Sequence, residues 1–411
     1  MANNNDKKVL NVPALRFPEF KGEWKKMRLG DNCNIQMCKR IMAAQTNTEG
    51  GVPFYKIGTI GGKADAYISK DLFDEYKMKY SFPHKGEVMI TCAGTVGKCI
   101  IYNGEDSYYQ DSNIVWIDNP NEIISNDFLY HLLSKINWSH LNSTTIVRIY
   151  NDDLRNLKLY YPHHDEQKKI THLFQLINER IATQNKIIED LKKLKSAIIE
   201  KLFCSPKDKQ PEVRLHGFSE NWQIIRLSEI CHRIRCKNTE EQCKRVLTIA
   251  AQYGLVSQEE FFNKNVASEN LSGYYLLQNG DFAYNKSYSG DYVWGTVKRL
   301  DNYEQGVLSP LYICFRPDSA KVDSDFLVYY FESKKWHKAV ADIAGEGARN
   351  HGLLNISVID YFNTIHCIPS VDEQKQIAQI MSALLSKIAR EQRILNCYTT
   401  QRQYLLRQMF I

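Results

Sequence analysis

Two long stretches with the same helical pattern organise this sequence. The first covers 165–203 and opens with Asp-Glu-Gln-Lys-Lys-Ile, and the second covers 372–410 and opens with Asp-Glu-Gln-Lys-Gln-Ile. The second is a copy of the first displaced by 207 positions, a spacing far longer than the repeat of a solenoid. The sequence therefore predicts two copies of a whole module, each ending in its helix.

Apolar residues recur at heptad positions along both stretches, which predicts helices with a seam for a partner helix. In the first stretch the rows are Ile170, Ile177, Leu191 and Ile198 with Gln184 in the gap, then Leu173, Ile187 and Leu194, then Phe174, Ile181, Ile188 and Leu202. The second stretch repeats them with Ile377, Leu384, Tyr398 and Leu405, then Ile380 and Ile394, then Met381, Ile388, Leu395 and Met409. At about 1.5 Å per residue, each helix should be roughly 58 Å long.

If the two helices pair antiparallel, Gln184 and Glu391 meet near the centre, because each lies midway along its helix at the equivalent seam position. One polar pair in an apolar seam is a device that fixes register. Both helices open with an acidic turn, which suits the helix dipole, and Ser370 with Glu373 has the spacing of a capping box. The alternative is two ordinary amphipathic helices that pack on their own domains, and the matched polar break argues against it.

Bulk composition narrows the class of protein. The chain has 411 residues, enough for two or three domains, and it shows no apolar signal segment and no run of membrane-spanning length. Eleven scattered cysteines are typical of reduced thiols, so we expect a soluble cytoplasmic protein. The one local cluster, Cys231, Cys236 and Cys243 with His232, matches no common zinc spacing. The net charge of +6 permits a nucleic-acid partner without requiring one.

The repeat extends beyond the helices. An entry segment rich in Pro and aromatic residues at 13–33 recurs at 211–231, an offset of 198, and is expected to be a packed structural strap. Asp-Phe-Leu at 127–129 recurs at the same offset. The offset then grows to 207, so nine extra residues lie between Trp336 and Asp372, where 345–352 is predicted to be an exposed loop.

Each module reads as an α+β domain of mixed α/β character with a twisted sheet. Strands are predicted at 86–91, 114–117, 280–284 and 311–315, and short helices at 128–136 and 326–334. The predicted organisation is two tandem domains separated by two long antiparallel coiled-coil helices. Its boundaries are domain 1 at 1–164, helix 1 at 165–204, domain 2 at 205–371 and helix 2 at 372–411.

Motifs of catalysis are missing from the sequence. There is no GxxxxGK[ST] loop, and the Gly-bearing turns at 58–62 and 94–98 lack a following helix, so they are expected to be strand connections. Asn-Pro-Asn-Glu at 119–122 only partly resembles the motif of amino methyltransferases, because the second Pro and the aromatic residue are missing. No Ser/His/Asp or Cys/His arrangement and no paired carboxylates stand out. These observations favour a binding protein.

Basic, amide and aromatic residues in predicted loops are the candidate binding groups. Arg reads guanine edges bidentately, Asn reads adenine, and Lys and Tyr contact phosphate. The alternative for each residue is a solvated loop side chain without a role. The candidates in the first module are Lys39, Arg40, Lys63, Lys98, Arg148, Tyr150 and Asn151. Those in the second module are Arg235, Lys237, Lys286, Tyr288, Tyr292, Arg349, Asn350 and His351.

Several of these features in their duplicated order resemble one known family, the specificity subunits of type I restriction-modification systems. The resemblance covers nearly the whole chain. It rests on Leu-Arg-Phe-Pro-x-Phe at 15–20, the Gly-Asp/Glu turns at Gly86 and Gly280, Asn-Lys-Ser at 285–287, Gly-Val-Leu-Ser-Pro-Leu-Tyr at 306–312, and the Glu-Gln-Lys helix starts at Glu166 and Glu373.

The resemblance implies two target-recognition domains that each read one half of a split DNA site, held apart by the helix pair. It also implies two methyltransferase subunits docked on the helices, and restriction subunits in the full complex. S-adenosylmethionine, ATP and Mg²⁺ are then expected on the partner subunits, with no cofactor or metal bound by this chain and no activity of this chain alone. The competing hypotheses are a coiled-coil scaffold that never binds DNA, and an enzyme with an unfamiliar site.

Overall fold

The computed structural model describes residues 11–138, 148–250, 253–262, 270–287, 292–344, 352 and 354–411. The chain divides into two compact units. The first unit consists of Met1–Asn185 and Ile394–Ile411, and the second unit consists of Lys186–Arg393. In the described part of the chain, no helix is both long enough and apolar enough to cross a membrane.

The strands and helices of the first module follow the predicted pattern. The strands are β1 Lys25–Arg28, β2 Asn34–Gln36, β3 Val52–Tyr55, β4 Tyr67–Ile68, β5 Val88–Thr91, β6 Cys99–Ile101, β7 Tyr108–Tyr109, β8 Ile114–Asp118 and β9 Lys158–Tyr161. The helices are α1 Lys70–Lys79, α2 Asn126–Lys135, α3 Asn151–Arg155 and the long α4 His164–Leu202. The predicted strands at 86–91 and 114–117 and the predicted helix at 128–136 are confirmed within two residues at each end.

The second module repeats the main elements of the first and contains further strands and short helices. Its strands are β10 Gln223–Arg226, β11 Cys231–Arg233, β12 Leu247–Ala250, β13 Gly254–Ser257, β14 Tyr275–Gln278, β15 Phe282–Asn285, β16 Thr296–Arg299, β17 Gln305–Leu308, β18 Ile313–Pro317 and β19 Ile365–Ile368. Its helices are α5 Leu227–Ile230, α6 Gln258–Phe262, α7 Ser324–Glu332, α8 His337–Ala341, α9 Val358–Phe362 and the long α10 Val371–Gln408. The predicted loop at 345–352 lies almost wholly outside the described residues.

A four-stranded antiparallel sheet forms the centre of each module. Its strand order is β2-β8-β5-β6 in the first and β11-β18-β15-β16 in the second. A two-stranded pair, β1-β9 or β10-β19, joins the entry segment to the strand that precedes the long helix. The predicted α+β architecture with two tandem domains is therefore confirmed.

Within each unit the start of one long helix lies beside the end of the other. In the first unit, Ile170 and Phe174 of α4 share a core with Met409, and Arg402 Nε donates to Asn178 Oδ1 at 2.7 Å. In the second unit, residues 377–381 of α10 share a core with residues 199–202 of α4. This is the antiparallel direction that the heptad pattern predicts.

The buried seam is narrower than the sequence suggests. Beyond its first turn, the side chains that α4 buries are Ile170, Phe174, Ile177, Gln184, Ile188, Ile199 and Leu202. The sequence also predicts that the row of Leu173, Ile187 and Leu194 belongs to the seam. However, Ile187 and Leu194 are 38% and 49% exposed, and Ile380 in the corresponding row of α10 is 41% exposed. That part of the prediction is wrong, because a paired helix needs only two heptad positions for one partner.

Gln184 and Glu391, the predicted register pair, belong to the first and the second unit respectively. Gln184 is buried, and Glu391 forms an ion pair with Lys387 Nζ at 3.5 Å within its own helix. Their meeting at the centre of the seam stays a prediction.

The entry segments are structural straps, as predicted. Trp24 and Trp222 are buried in the cores of their units. Leu15 N donates to Gln408 O at 2.9 Å, and the equivalent Val213 N donates to Lys201 O at 3.0 Å. Each strap is therefore bonded to the final turn of the helix that ends in its own unit.

Candidate nucleic-acid interface

The first basic segment of the first unit follows β2, where the chain leaves the sheet. Lys39 and Arg40 are exposed there. Lys39 Nζ lies 5.2 Å from the centre of the Tyr80 ring, which is a cation–π distance. Arg40 Nε lies 3.8 Å from Asp111 Oδ2, but 72% of the Arg40 side chain is exposed, so this pair holds the guanidinium weakly.

The two Gly-bearing turns lie beside each other and are strand connections, as predicted. Residues 58–62 lie between β3 and β4, and residues 94–98 lie between β5 and β6. Lys98 Nζ donates to Ile60 O at 2.5 Å, which ties one turn to the other. Gly94 has φ +64°, a left-handed backbone conformation that favours glycine, and a Cβ there would lie 2.7 Å from Ile57 Cδ1. Lys63 is exposed immediately after the first turn.

The third basic segment of the first unit passes the base of the β5–β6 connection. Ile149 N donates to Cys92 O at 2.9 Å, so Arg148 and Tyr150 flank that connection. The Arg148 guanidinium lies 5.8 Å from the centre of the exposed Tyr150 ring. Burial raises the pKa of the Cys92 thiol to about 12, and the Arg148 charge opposes that rise. Asn151 is the first residue of α3 and is half-buried.

These segments form one loop cluster, which we define as residues 37–40, 56–63, 92–98, 110–113 and 148–151. Besides the contacts above, Gln110 Oε1 accepts from Ile57 N at 3.4 Å, next to the Asp111 that faces Arg40. All seven candidates of the first module belong to this cluster. Lys56 also lies in this cluster, although it is not among the predicted candidates, and its ammonium pairs with Asp65 at 3.0 Å. Its position two residues before the first Gly-bearing turn was the available signal.

In the second unit the candidates have two sets of neighbours. Arg235 and Lys237 are exposed after β11, and Lys237 forms a backbone bridge with Tyr275. Lys286 follows β15, and its carbonyl accepts from Leu354 N at 2.9 Å. This bond is the counterpart of the one between Ile149 and Cys92 in the first unit, so the same connection of the sheet is fixed in the same way.

Tyr292 lies in the same connection as Lys286. It is half-buried, and its carbonyl accepts from Gly295 N at 3.2 Å. Four candidates fall outside the described residues, namely Tyr288, Arg349, Asn350 and His351.

The chemistry of these side chains suits binding. Guanidinium, ammonium and phenol groups supply hydrogen-bond donors to phosphates and base edges. Among the described residues, no group of three or more His, Cys, Asp or Glu side chains is placed to hold a metal ion. Of the cysteines in the cluster near β11, Cys231 and Cys243 are buried while Cys236 is exposed.

The family of the chain follows from comparison with known proteins. The family model described as the type I restriction modification DNA specificity domain matches residues 21–193 and again residues 219–397. These two matches cover most of the sequence and coincide with the two modules. The chain belongs to this family.

Individual relatives agree with the family. A protein named as the type I restriction enzyme specificity subunit S.HindORF215P of Haemophilus influenzae is 47% identical over 163 residues, which is 40% of each chain. The type I restriction enzyme MjaVIII specificity subunit of Methanocaldococcus jannaschii is 24% identical over 90% of this chain and 87% of that one. The crystal structure of a type I restriction-modification S subunit from M. genitalium shares the fold over 97% of this chain and 99% of that one, with a TM-score of 0.56 and 16% identity.

Proposed function

We propose that this chain is the DNA sequence-recognition subunit of a type I restriction-modification complex, in which each module reads one half of a bipartite site. The observation that carries the proposal is the duplicated module with basic and aromatic residues at equivalent connections of its sheet. Lys98 and Lys286 belong to the corresponding connections β5–β6 and β15–β16. The residues around them differ, so the two half-sites should differ in sequence.

The long helices would set the number of base pairs between the half-sites and would dock two methyltransferase subunits. A spacing of DNA half-sites normally mirrors the geometry of the protein that holds the reading elements. Exposed apolar side chains on the helices, namely Ile187 and Leu194 of α4 and Ile380 of α10, would be available for this docking. Restriction subunits would join these partners in the nuclease.

The chain alone would have no catalytic activity. S-adenosylmethionine would bind the methyltransferase subunits, and ATP and Mg²⁺ would bind the restriction subunits. Because host DNA is the object to be modified, the complex would work in the cytoplasm. Salt should weaken DNA binding steeply, because Lys and Arg contacts to phosphate release counterions.

The decisive experiment is deletion of this gene, followed by single-molecule sequencing of host DNA for methylated adenine. We expect one split motif to disappear, and to return when the gene is co-expressed with its methyltransferase. If the methylation is unchanged while this chain still co-purifies with the methyltransferase, a scaffold without DNA binding is the better description. Methyl transfer by the isolated chain would instead favour an enzyme.

A further inference from the structure

The Glu-Gln pair at the start of each long helix is buried, although a first helical turn is normally solvated. Glu166 and Gln167 are 1% and 0% exposed, and Glu373 and Gln374 are 1% and 0% exposed. A buried carboxylate requires a charged partner and a buried amide requires hydrogen bonds. The contacts of these four side chains therefore show which parts of the module are bonded to the first turn of each long helix.

Each glutamate holds the strap of its own module through a bidentate salt bridge to an arginine of that strap. Arg16 Nε and Nη2 donate to the two carboxylate oxygens of Glu166, both at 2.7 Å. Arg214 Nε and Nη2 donate to those of Glu373 at 3.0 and 2.8 Å. A guanidinium paired in this way fixes direction as well as distance, which one ammonium contact does not.

Each glutamine holds the short helix that packs against the sheet. Gln167 Oε1 accepts from Ser125 N, the residue that caps α2, at 2.8 Å, and its Nε2 donates to Pro162 O at 3.0 Å. Gln374 Oε1 accepts from Asp323 N, which caps α7, at 2.7 Å. One helical turn thus meets three separate parts of its module: the strap, the short helix and the residue that follows the last strand.

The covalent connection at this point is short. β9 ends at Tyr161 and α4 begins at His164, while β19 ends at Ile368 and α10 begins at Val371. Apolar packing around the connection is not directional, so it leaves the angle between module and helix loosely defined. The buried hydrogen bonds of the Glu-Gln pair are the directional contacts that define this angle.

We propose that Glu166 with Gln167 and Glu373 with Gln374 are positioning residues that fix each recognition module on its own helix, and so restrict the site to one spacer length. This inference rests on the proposed function. One added base pair moves a half-site by about 3.4 Å along the DNA and also rotates it about the DNA axis. A module that can turn on its helix would follow that shift, whereas a module held by these directed bonds cannot.

The test uses the complex of the full chain with its methyltransferase subunits. Methyl transfer is measured on duplexes that keep both half-sites and change the spacer by one base pair in either direction. For the wild type we expect one preferred spacer. For Glu166→Gln, Arg16→Lys and Glu373→Gln we expect the preference over the neighbouring spacers to fall at least tenfold, with unchanged preference for each base of the half-sites.

The strap also contains a matched control. Glu19 forms an ion pair with Lys169 of the same helix, but both side chains are about half exposed. Glu19→Gln should therefore leave the spacer preference unchanged. Arg16→Lys keeps the positive charge but loses the bidentate hydrogen bond, so this variant serves as the test if Glu166→Gln does not give folded protein.

Two results would overturn the inference. One is an unchanged spacer preference in all three variants, whatever the yield of active complex. The other is a loss of base preference together with spacer preference, which would mean that the module itself is disturbed. A wild-type complex that methylates no split site at all would overturn the proposed function, and the inference with it.

Discussion

The two units share their central sheet and their attachment to the long helices, and they differ in the smaller sheets that accompany the central one. The first unit adds a three-stranded sheet, β4-β3-β7, and the helix α1. The second adds two separate pairs, β12-β13 and β14-β17. The shared part is the part that meets the helices. The variable part carries several candidate binding residues, as expected if two related modules read different sequences.

The end of a long helix closes the core of each unit, and this common feature gives the largest predicted effect. Phe410 packs against Phe128 with ring centres 5.0 Å apart, and Phe203 packs against Phe326 at 5.3 Å. All four rings are nearly inaccessible to solvent. We expect Phe410→Ala and Phe203→Ala each to lower the free energy of unfolding of its own unit by about 3–5 kcal/mol.

Hydrogen exchange of the amides of α2 and α7 measures the two units separately. Phe410→Ala should speed exchange in α2, and Phe203→Ala should speed exchange in α7. If Phe410→Ala leaves α2 as protected as in the wild type, the end of α10 does not support the first unit. Val213→Ala, at a half-exposed position of the second strap, is a control with little expected effect on either helix.

Lowering the pH should affect the stability of the two units differently, because of one position where their residues differ. His131 of α2 is buried against Phe174, with ring centres 4.6 Å apart, and its counterpart in α7 is Tyr329. Burial, with a further contribution from the Arg402 charge, lowers the pKa of His131 to about 4 from its ordinary 6.5. The folded state therefore keeps this imidazole neutral where the unfolded chain takes up a proton.

Because the pKa is lower in the folded state, the stability of the first unit should fall as the pH falls from 6.5 towards 4. The full loss is on the order of 3 kcal/mol. His131→Phe should make the exchange of α2 less dependent on pH over this range, without the same change in α7. His366 in the second unit is also buried, with its pKa lowered to about 4 by burial, so α7 should keep its own acid sensitivity in this variant. An unchanged pH dependence of α2 would argue against the buried neutral imidazole.

The strap tryptophans differ in one hydrogen bond. Trp24 Nε1 donates to Glu166 Oε1 at 3.3 Å, whereas Trp222 Nε1 is buried without a hydrogen-bond partner among the described residues. Trp→Phe removes the same volume in both places, but only at Trp24 does it remove a bond to a charged group. We expect Trp24→Phe to cost about 1–2 kcal/mol more than Trp222→Phe, measured by exchange in α2 and α7. Equal costs would show that the longer bond to Glu166 contributes nothing.

Sequence pattern predicted the elements whose signal is local or duplicated. The heptads located α4 and α10 within two residues, and the repeat located two of the four strands in each central sheet and the helices α2 and α7. The hairpin β12-β13 was not predicted, because nothing in the first module repeats it. Among the binding candidates, the pattern found basic loops, but only the fold shows that those of the first unit form one cluster.

The long-range role of the Glu-Gln motif was not predictable either. The sequence favoured a dipole or capping role for Glu373, and Glu373 N does lie 3.5 Å from Ser370 Oγ. The other half of that capping box is wrong, because the Glu373 carboxylate instead accepts from Arg214, 159 residues away. No local spacing can predict a partner at that distance along the chain.

The smallest predicted effect concerns two ion pairs by which the second unit holds α4. Lys195 Nζ lies 2.6 Å from Glu332 of α7, and Lys335 Nζ lies 2.6 Å from Glu200. The equivalent positions of α2 and its following turn are Ser134 and Asn137, which carry no charge.

Each pair is partly exposed, so Glu332→Gln should lower the stability of the second unit by only about 0.5–1 kcal/mol. Raising the salt concentration should reduce this difference between wild type and variant, since the attraction is screened. Exchange in α7 at low and high salt measures it, and Ser134→Ala is the matched change in the first unit, for which no salt dependence is expected. A Glu332→Gln effect that is independent of salt would assign the contribution of this side chain to packing, and the two units would then hold their helices by the same kind of contact.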